Sequence, residues 1–350
     1  MAEGGRFTGV DEAPLIPSRR GDLRIGPVLA IPEVLTELGT PVERTFRQAG
    51  VDLRLFQDPE SRLSFESVGR LFEACVTATR CRHFGVLVGE RFEVKTLGPI
   101  GTLIRHAATV GDALHDLIVH LHFHDRLGAP VLVAPDEGMV VLGYSLHDQR
   151  TPAAECIYAT ATTAAYRILR ELCGPVFEPL VVQFSYDRPA STTEYRRSFR
   201  SAVAFNAPTS GVAFASSWLS HPLAGSQPAL HDELAQAIRN AEENASMSCA
   251  DRLEGVLHQA LLSGAASASD LAQRLALHER TLRRRLQADG RSLRRLVNRT
   301  RFEIAGQLLR NTRLPVTEIA AVLQYSDPNA FSRAFRSWAN RSPREWRAGR

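Results

Sequence analysis

Two short stretches of this 350-residue chain carry polar side chains at a spacing suited to reading the edges of base pairs. Arg280, Arg283, Arg284 and Gln287 fall at i, i+3, i+4 and i+7, one continuous stripe if the segment is helical, with Thr281 beside it. Asn329, Ser332, Arg333 and Arg336 repeat that spacing. A guanidinium can pair in two-pronged fashion with O6 and N7 of guanine, and an Asn amide with N6 and N7 of adenine. Arg299, Arg301 and Ser326 are expected at phosphates, contacts that set register on a duplex without reading its sequence.

Each stripe needs a support helix, a tight turn and an apolar back. Ser269–Ala276 reads as the first support helix, with Ser269 as N-cap and Leu271, Ala272 and Leu275 inward. A turn through Leu277 and His278 leads to a recognition helix over 279–288, backed by Leu282 and Leu286 and closed by Gly290. The second copy starts at Val316, behind Pro315; Ile319, Ala320 and Leu323 repeat the first support pattern 48 residues later. Its recognition helix follows a Ser326 or Asp327 cap and is backed by Phe331, Ala334, Phe335 and Trp338. Between the copies, Leu293–Asn311 reads as one helix of 19 residues. That is roughly 28 Å long, against about 34 Å between successive major-groove faces. The two motifs are thus expected on adjacent grooves, with the mismatch taken up by bending the DNA.

Charge divides the chain the same way. From Asp251 onward there are 19 arginines and 9 acidic residues, a net +10, which leaves −6 for the rest of a chain whose total is +4. A basic unit on an acidic one points to a polyanionic partner for the former alone. The five cysteines are scattered without a CxxC pair and read as reduced thiols of a cytoplasmic protein. No stretch is long and apolar enough to predict a membrane span. Residues 1–24, polar and rich in Gly, Pro and Arg, are expected to be a disordered arm.

The first 245 residues read as mixed α and β. Helices are predicted near 27–38, over Phe65–Thr79, 84–92, Val110–Phe123, 153–172 and 229–245. A hairpin is predicted from 131–134 and 139–146, with further strands at 180–186, 202–205 and 212–214. The fold expected is a mixed α/β N-terminal domain over 25–245, a linker at 244–250, and an all-α domain over 251–350 with two helix-turn-helix motifs joined by a long helix.

Other chemistry is weaker. His120, His122 and His124, with His115 and Asp125 nearby, attract attention because His120 and His124 would share a helical face, as two metal ligands require. One helix supplies no third ligand, so polar packing at a helix end is the reading adopted, with no metal and no cofactor. No nucleophile-elbow, dinucleotide-binding, phosphate-loop or HExxH motif occurs, which argues against an enzyme. Two alternatives stay open: a constitutive DNA-bending protein whose N-terminal domain only dimerises, and a catalytic domain fused to a DNA-targeting module.

The runs RTLRRRLQADGRSLRRL (280–296) and EIAAVLQYSDPNAFSRAFRSWANRSPREWR (318–347) closely resemble the AraC/XylS family of bacterial transcription regulators. The departures are Gln324 and Asn340 where Gly is usual, Trp346 where Tyr is usual, and His278 where a capping Ser is common. More loosely, FGVLVGERFEVKTLGPIG, CGPVFEPLVVQFSYDRP and FNAPTSGVAFASSWLSHPL resemble the arabinose-regulator-type effector domain of regulators similar to the ornithine-utilisation regulator. The resemblance implies a ligand-responsive regulator of promoter DNA, an activator acting as a dimer, with a small-molecule effector and RNA polymerase as partners. It does not name the effector.

Overall fold

The computed structural model describes residues 21–125, 128–147, 151–244 and 248–349. Strand β1 (Asp22–Arg24) pairs antiparallel with β2 (Arg62–Ser64). This corrects the expectation of a disordered arm for residues 22–24. Leu23 and Arg24 are buried, and the Arg24 guanidinium bonds the Leu97 carbonyl at 3.0 Å and pairs with Glu60. A short polar-looking segment is thus held by partners as distant as His124, whose carbonyl accepts from the Arg24 N–H at 3.0 Å, which local pattern does not report. The expected arm over 1–20 lies outside the described residues.

Helices α1 (Ile31–Glu37), α2 (Val42–Ala49), α3 (Phe65–Thr79), α4 (Phe84–Glu90), α5 (Pro99–His106) and α6 (Val110–His120) form a helical layer. Their starts are set locally. Ser64 caps α3 by accepting from the Ser67 N–H, and Thr109 with Asp112 forms a reciprocal capping box on α6. Helix α6 stops at His120, and a short 3₁₀ turn over Leu121–Phe123 follows instead of the continuous helix expected to Phe123. His120 and His124 therefore share no helical face.

Strands β3 (Gly128–Asp136) and β4 (Met139–Leu146) form the expected hairpin. The chain continues through α7 (Ala154–Cys173), β5 (Val181–Phe184), α8 (Thr193–Phe199), β6 (Val203–Phe205), β7 (Ser210–Ala215) and α9 (Pro228–Asn244). The sheet order is β3-β4-β7-β5-β6, antiparallel except for the parallel β5–β6 pair. Helix α7 is buried along most of its length because α3 and α4 cover one side and β4 and β7 the other. The α4–α7 crossing depends on Gly85 and Gly89. A Cβ at these positions would stand 2.2 Å from the Cys156 carbonyl oxygen and 2.5 Å from Thr163 Cβ.

The C-terminal unit is α10 (Cys249–Leu262), α11 (Ala268–Arg274), α12 (Glu279–Ala288), α13 (Leu293–Asn311), α14 (Val316–Val322), α15 (Pro328–Ala339) and α16 (Pro343–Ala348). Ser248 caps α10, so helix begins inside the segment expected as linker; 245–247 lie outside the described residues. Two small cores serve the two halves. One gathers Leu253, Leu257, Leu271, Leu282, Leu286 and Leu296; the other Leu261, Ile304, Leu308, Ile319, Phe331 and Phe335. Helices α10 and α13 contribute to both and so tie the halves together.

The second core also takes in Val131 of β3, so the units are docked. Among the described residues, the outer edge of β3 has no neighbouring strand. There the Gln259 amide of α10 accepts from the Leu132 N–H at 2.5 Å and donates to the Leu132 carbonyl at 2.7 Å, as a partner strand would. The His147 ring, just past β4, stacks on His258 of α10 with centroids 3.9 Å apart. Arg313 reaches Asn206 and Asp187 at 2.8 and 3.2 Å.

Candidate nucleic-acid interface

The first motif is α11, a turn and α12. Its cap is Ser267, which forms a capping box with Asp270; the expected cap, Ser269, lies inside the helix. Serines at 267 and 269 offer the same local signal, and only the former has the acidic residue three positions on. The turn passes through Ala276 at φ +52°, and His278 caps α12 through Nδ1 at 3.4 Å from the Arg280 N–H. Asp289, at the end of α12, accepts from the Ala250 N–H at 3.0 Å and so anchors the recognition helix to α10.

The second motif is α14, a turn and α15. Gln324 stands at φ +62°, 48 positions after Ala276 at the same step of the turn. Asp327, rather than Ser326, caps α15, accepting from the N–H groups of Asn329 and Ala330 at 2.9 and 3.0 Å. Asn340 closes the helix at φ +54°, a conformation that Gly or Asn tolerates best. Behind α15, Trp346 meets Phe302 and Phe335 edge to face, with centroids 5.5 and 5.7 Å apart, and the two Phe rings are tilted against each other at 5.6 Å. Arg347 donates to the Leu314 carbonyl at 2.6 Å and pins α16 under the motif.

On α12, Arg280, Arg283, Arg284 and Gln287 are exposed, and Thr281 is half-buried. Arg283 pairs with Glu279 at 2.7 Å, one turn away, with both side chains well exposed. An exposed pair of this kind is worth little and leaves the guanidinium able to turn to a duplex. On α15, Asn329, Arg333 and Arg336 are exposed, while the Ser332 hydroxyl is tied to the Pro328 carbonyl at 2.9 Å. Arg333 lies 3.8 Å from Asp327 and is about three-quarters exposed.

The two stripes do not share one hollow. A concavity of about 830 Å³ is lined by Arg291, Arg294 and Arg301 together with Arg283 and Gln287 of α12 and Ser337 and Trp338 of α15. Asn329, Ser332, Arg333 and Arg336 line a second hollow of about 460 Å³, closed by Asp327 and Ser342. Arg291 and Arg294 escaped assignment from sequence; their signal was the basic run that follows Gly290. Arg301 lies over the Tyr325 ring at 5.2 Å, between the two motifs. Arg299 does not belong with it. Two positions apart on α13, they point to opposite sides, and Arg299 pairs with Glu303 at 2.8 Å and Glu254 at 3.6 Å, beside α10. Its side chain, where a phosphate contact was expected, is 40% exposed on the side of α13 away from that concavity. Ser326 is exposed at the turn.

A family profile described as the arabinose-binding domain of AraC transcription regulators matches residues 39–223, just over half of the chain. A helix-turn-helix profile matches residues 271–349. The chain belongs to the AraC family of transcription regulators. Among AraC-type relatives, the regulator VirS of Mycobacterium tuberculosis is 25% identical over 317 residues, covering 90% of this chain and 93% of VirS. The ornithine utilization regulator of Pseudomonas aeruginosa is 28% identical over 327 residues, covering 91% and 94%. The crystal structure of the regulator CdpR from P. aeruginosa aligns with a TM-score of 0.43 at 23% identity, over 87% of this chain and 96% of CdpR. As in these AraC-family relatives, the activity is DNA-binding transcription regulation and not enzymatic catalysis.

The histidines of the N-terminal unit have structural partners. His120 Nδ1 and His122 Nε2 both face one Glu242 oxygen of α9, at 3.3 and 3.2 Å. Burial works against the Glu242 carboxylate, yet these two contacts bring it down to about 2. Burial, with Arg24 and Arg62 adjacent, holds His124 well below the usual imidazole range. Among the described residues, no group of three or more His, Cys, Asp or Glu side chains is arranged to hold a metal, and no helix is long and apolar enough to cross a membrane.

Proposed function

We propose that this regulator binds a two-part promoter site, placing α12 and α15 in adjacent major grooves on one face of the duplex. The observation that carries the reading is the matched pair of exposed stripes, each on a separately capped helix, joined by α13 and its 19 residues. Arg291, Arg294 and Arg301 would meet the backbone between the grooves. The roughly 28 Å of α13, against about 34 Å per turn of B-DNA, favours bound DNA that is bent toward the protein. The N-terminal domain would bind a small effector and dimerise, and the complex would activate transcription by contact with RNA polymerase.

The test is footprinting with the full chain on its operator. Arg283→Ala and Arg333→Ala should each lose ~1–3 kcal/mol of specific binding and relax preference at one base position. The positions affected should lie about 10 base pairs apart. Loss of the same protected segment in both variants, or unchanged affinity in both, would refute the two-groove reading.

A further inference from the structure

Among α3, α6, α7 and β4 lies a cavity of about 100 Å³. Its walls include Phe65, Phe72, Leu117, Leu142, Ile157 and Ile168, and its lining residues include no Asp, Glu, Lys or Arg. Hydrogen-bonding side chains are few: Tyr144, His124 and Thr160. The Thr160 hydroxyl is already committed to the carbonyls of Gly85 and Cys156, at 3.1 and 3.0 Å. Tyr144 donates to the Asp125 carboxylate, which leaves its oxygen lone pairs as acceptors.

A sugar does not fit this lining. Each ring hydroxyl removed from water needs a partner, and hydroxyls against Phe65, Phe72 and Ile168 would have none. A zwitterionic or dibasic amino acid fits no better, since a buried charge needs an opposite charge and none lines the wall. The same reasoning excludes an ionised carboxylic acid. What the walls accept is hydrocarbon. As a scale, an apolar protein cavity of roughly 150 Å³ takes up benzene, so one of about 100 Å³ admits a molecule smaller than benzene.

We infer that this cavity is the effector site and that its ligand is a small, uncharged, largely hydrocarbon molecule with one hydroxyl group to donate to the Tyr144 oxygen, a short alcohol smaller than benzene. The polar group would lie at the Tyr144 and His124 end and the carbon skeleton between α3 and α7. The inference rests on the reading of this protein as effector-responsive, and adds the chemistry of the effector.

The experiment measures thermal stability and operator affinity of the full chain with propan-2-ol, butan-2-ol and pentan-2-ol, and with arabinose, ornithine and hexanoate. At near-saturating concentration the uncharged hydrocarbons should raise the melting temperature by about 2–5 °C and change operator affinity. Ala164→Phe, which fills the cavity from α7, should abolish the response. Ile168→Val, which enlarges it by one methylene, should fold normally and move the preference to a ligand one carbon larger. A response to arabinose, ornithine or hexanoate without one to the uncharged set overturns the ligand class but leaves the effector reading standing. No response to any of the six overturns both. A hydrocarbon response unchanged in both variants overturns the site.

Discussion

Gln259 is where the DNA-binding unit grips the sensor unit, and replacing it tests how firmly. Its amide completes both backbone valences of Leu132 on the exposed edge of β3, at 2.5 and 2.7 Å. Gln259→Ala leaves that N–H and carbonyl facing a gap beside the buried Val131 and His258. A buried polar group that loses its partner costs ~1–3 kcal/mol. Both bonds are only partly buried, so water entering the gap recovers some of this, and a net loss of about 2–3 kcal/mol is expected for the two together. In calorimetry of the full chain that corresponds to a fall of about 10–14 °C in the transition of the docked C-terminal unit. The single unfolding envelope should also split as the domains uncouple. Gln259→Glu makes the argument specific. Its carboxylate still accepts from the Leu132 N–H but turns an acceptor toward the Leu132 carbonyl, so its defect should shrink on acidification as protonation restores a donor. An alanine variant that melts within about 0.5 kcal/mol of the parent protein, the range of an unremarkable surface substitution, would refute the claim that these bonds couple the units.

Three further outcomes are expected. Operator affinity should fall steeply with salt, log K declining by roughly 0.9 per phosphate neutralised; titration between 50 and 200 mM salt checks this, and Arg301→Ala should lower the slope by about one, whereas Arg299→Ala should leave it unchanged. Burial, with His147 stacked beside it, holds His258 well below the ordinary imidazole value, so the unfolded chain takes up a proton there that the folded chain does not. The part of the stability owed to His258 should therefore be fully present above about pH 6.5 and decline below it by at most ~1.4 kcal/mol per pH unit; the groups facing His258 are His147, Glu303, Glu254 and Arg299, and His258→Phe should make that limb shallower in melts between pH 7.5 and 5, leaving the part owed to His124. Ala276→Gly should stabilise the first motif by ~1 kcal/mol, because an L side chain at φ +52° carries a cost glycine lacks; a denaturant midpoint that does not rise would contradict this.

The helix-turn-helix units were legible because everything that defines them is local. The stripes at i, i+3, i+4 and i+7 follow from helical periodicity, and α12, α13 and the start of α14 fall where the pattern put them. The hairpin and α3 were equally plain, each having an uninterrupted period. The shorter helices α2, α5 and α8 passed unread, since seven or eight residues hold scarcely two turns of pattern. Choosing Ser267 over Ser269, or Asp327 over Ser326, depended on which side chain the backbone turned inward.

What the sequence determined by itself was the family, the two helix-turn-helix motifs with their exposed polar stripes and the basic charge of the unit that carries them, because periodicity, caps and net charge act over a few residues or over the whole chain. Tertiary structure alone decided that Arg301 joins the concavity between the motifs while Arg299 is spent on Glu254 and Glu303, that His120 and His122 answer to Glu242 while His124 does not, and that Gln259 stands in for a strand. The apolar cavity also belongs here: its walls come from residues as far apart as Phe65 and Ile168, brought together by folding. Contacts at such separations depend on how helices and sheet pack, and packing leaves no mark at any one position of the chain.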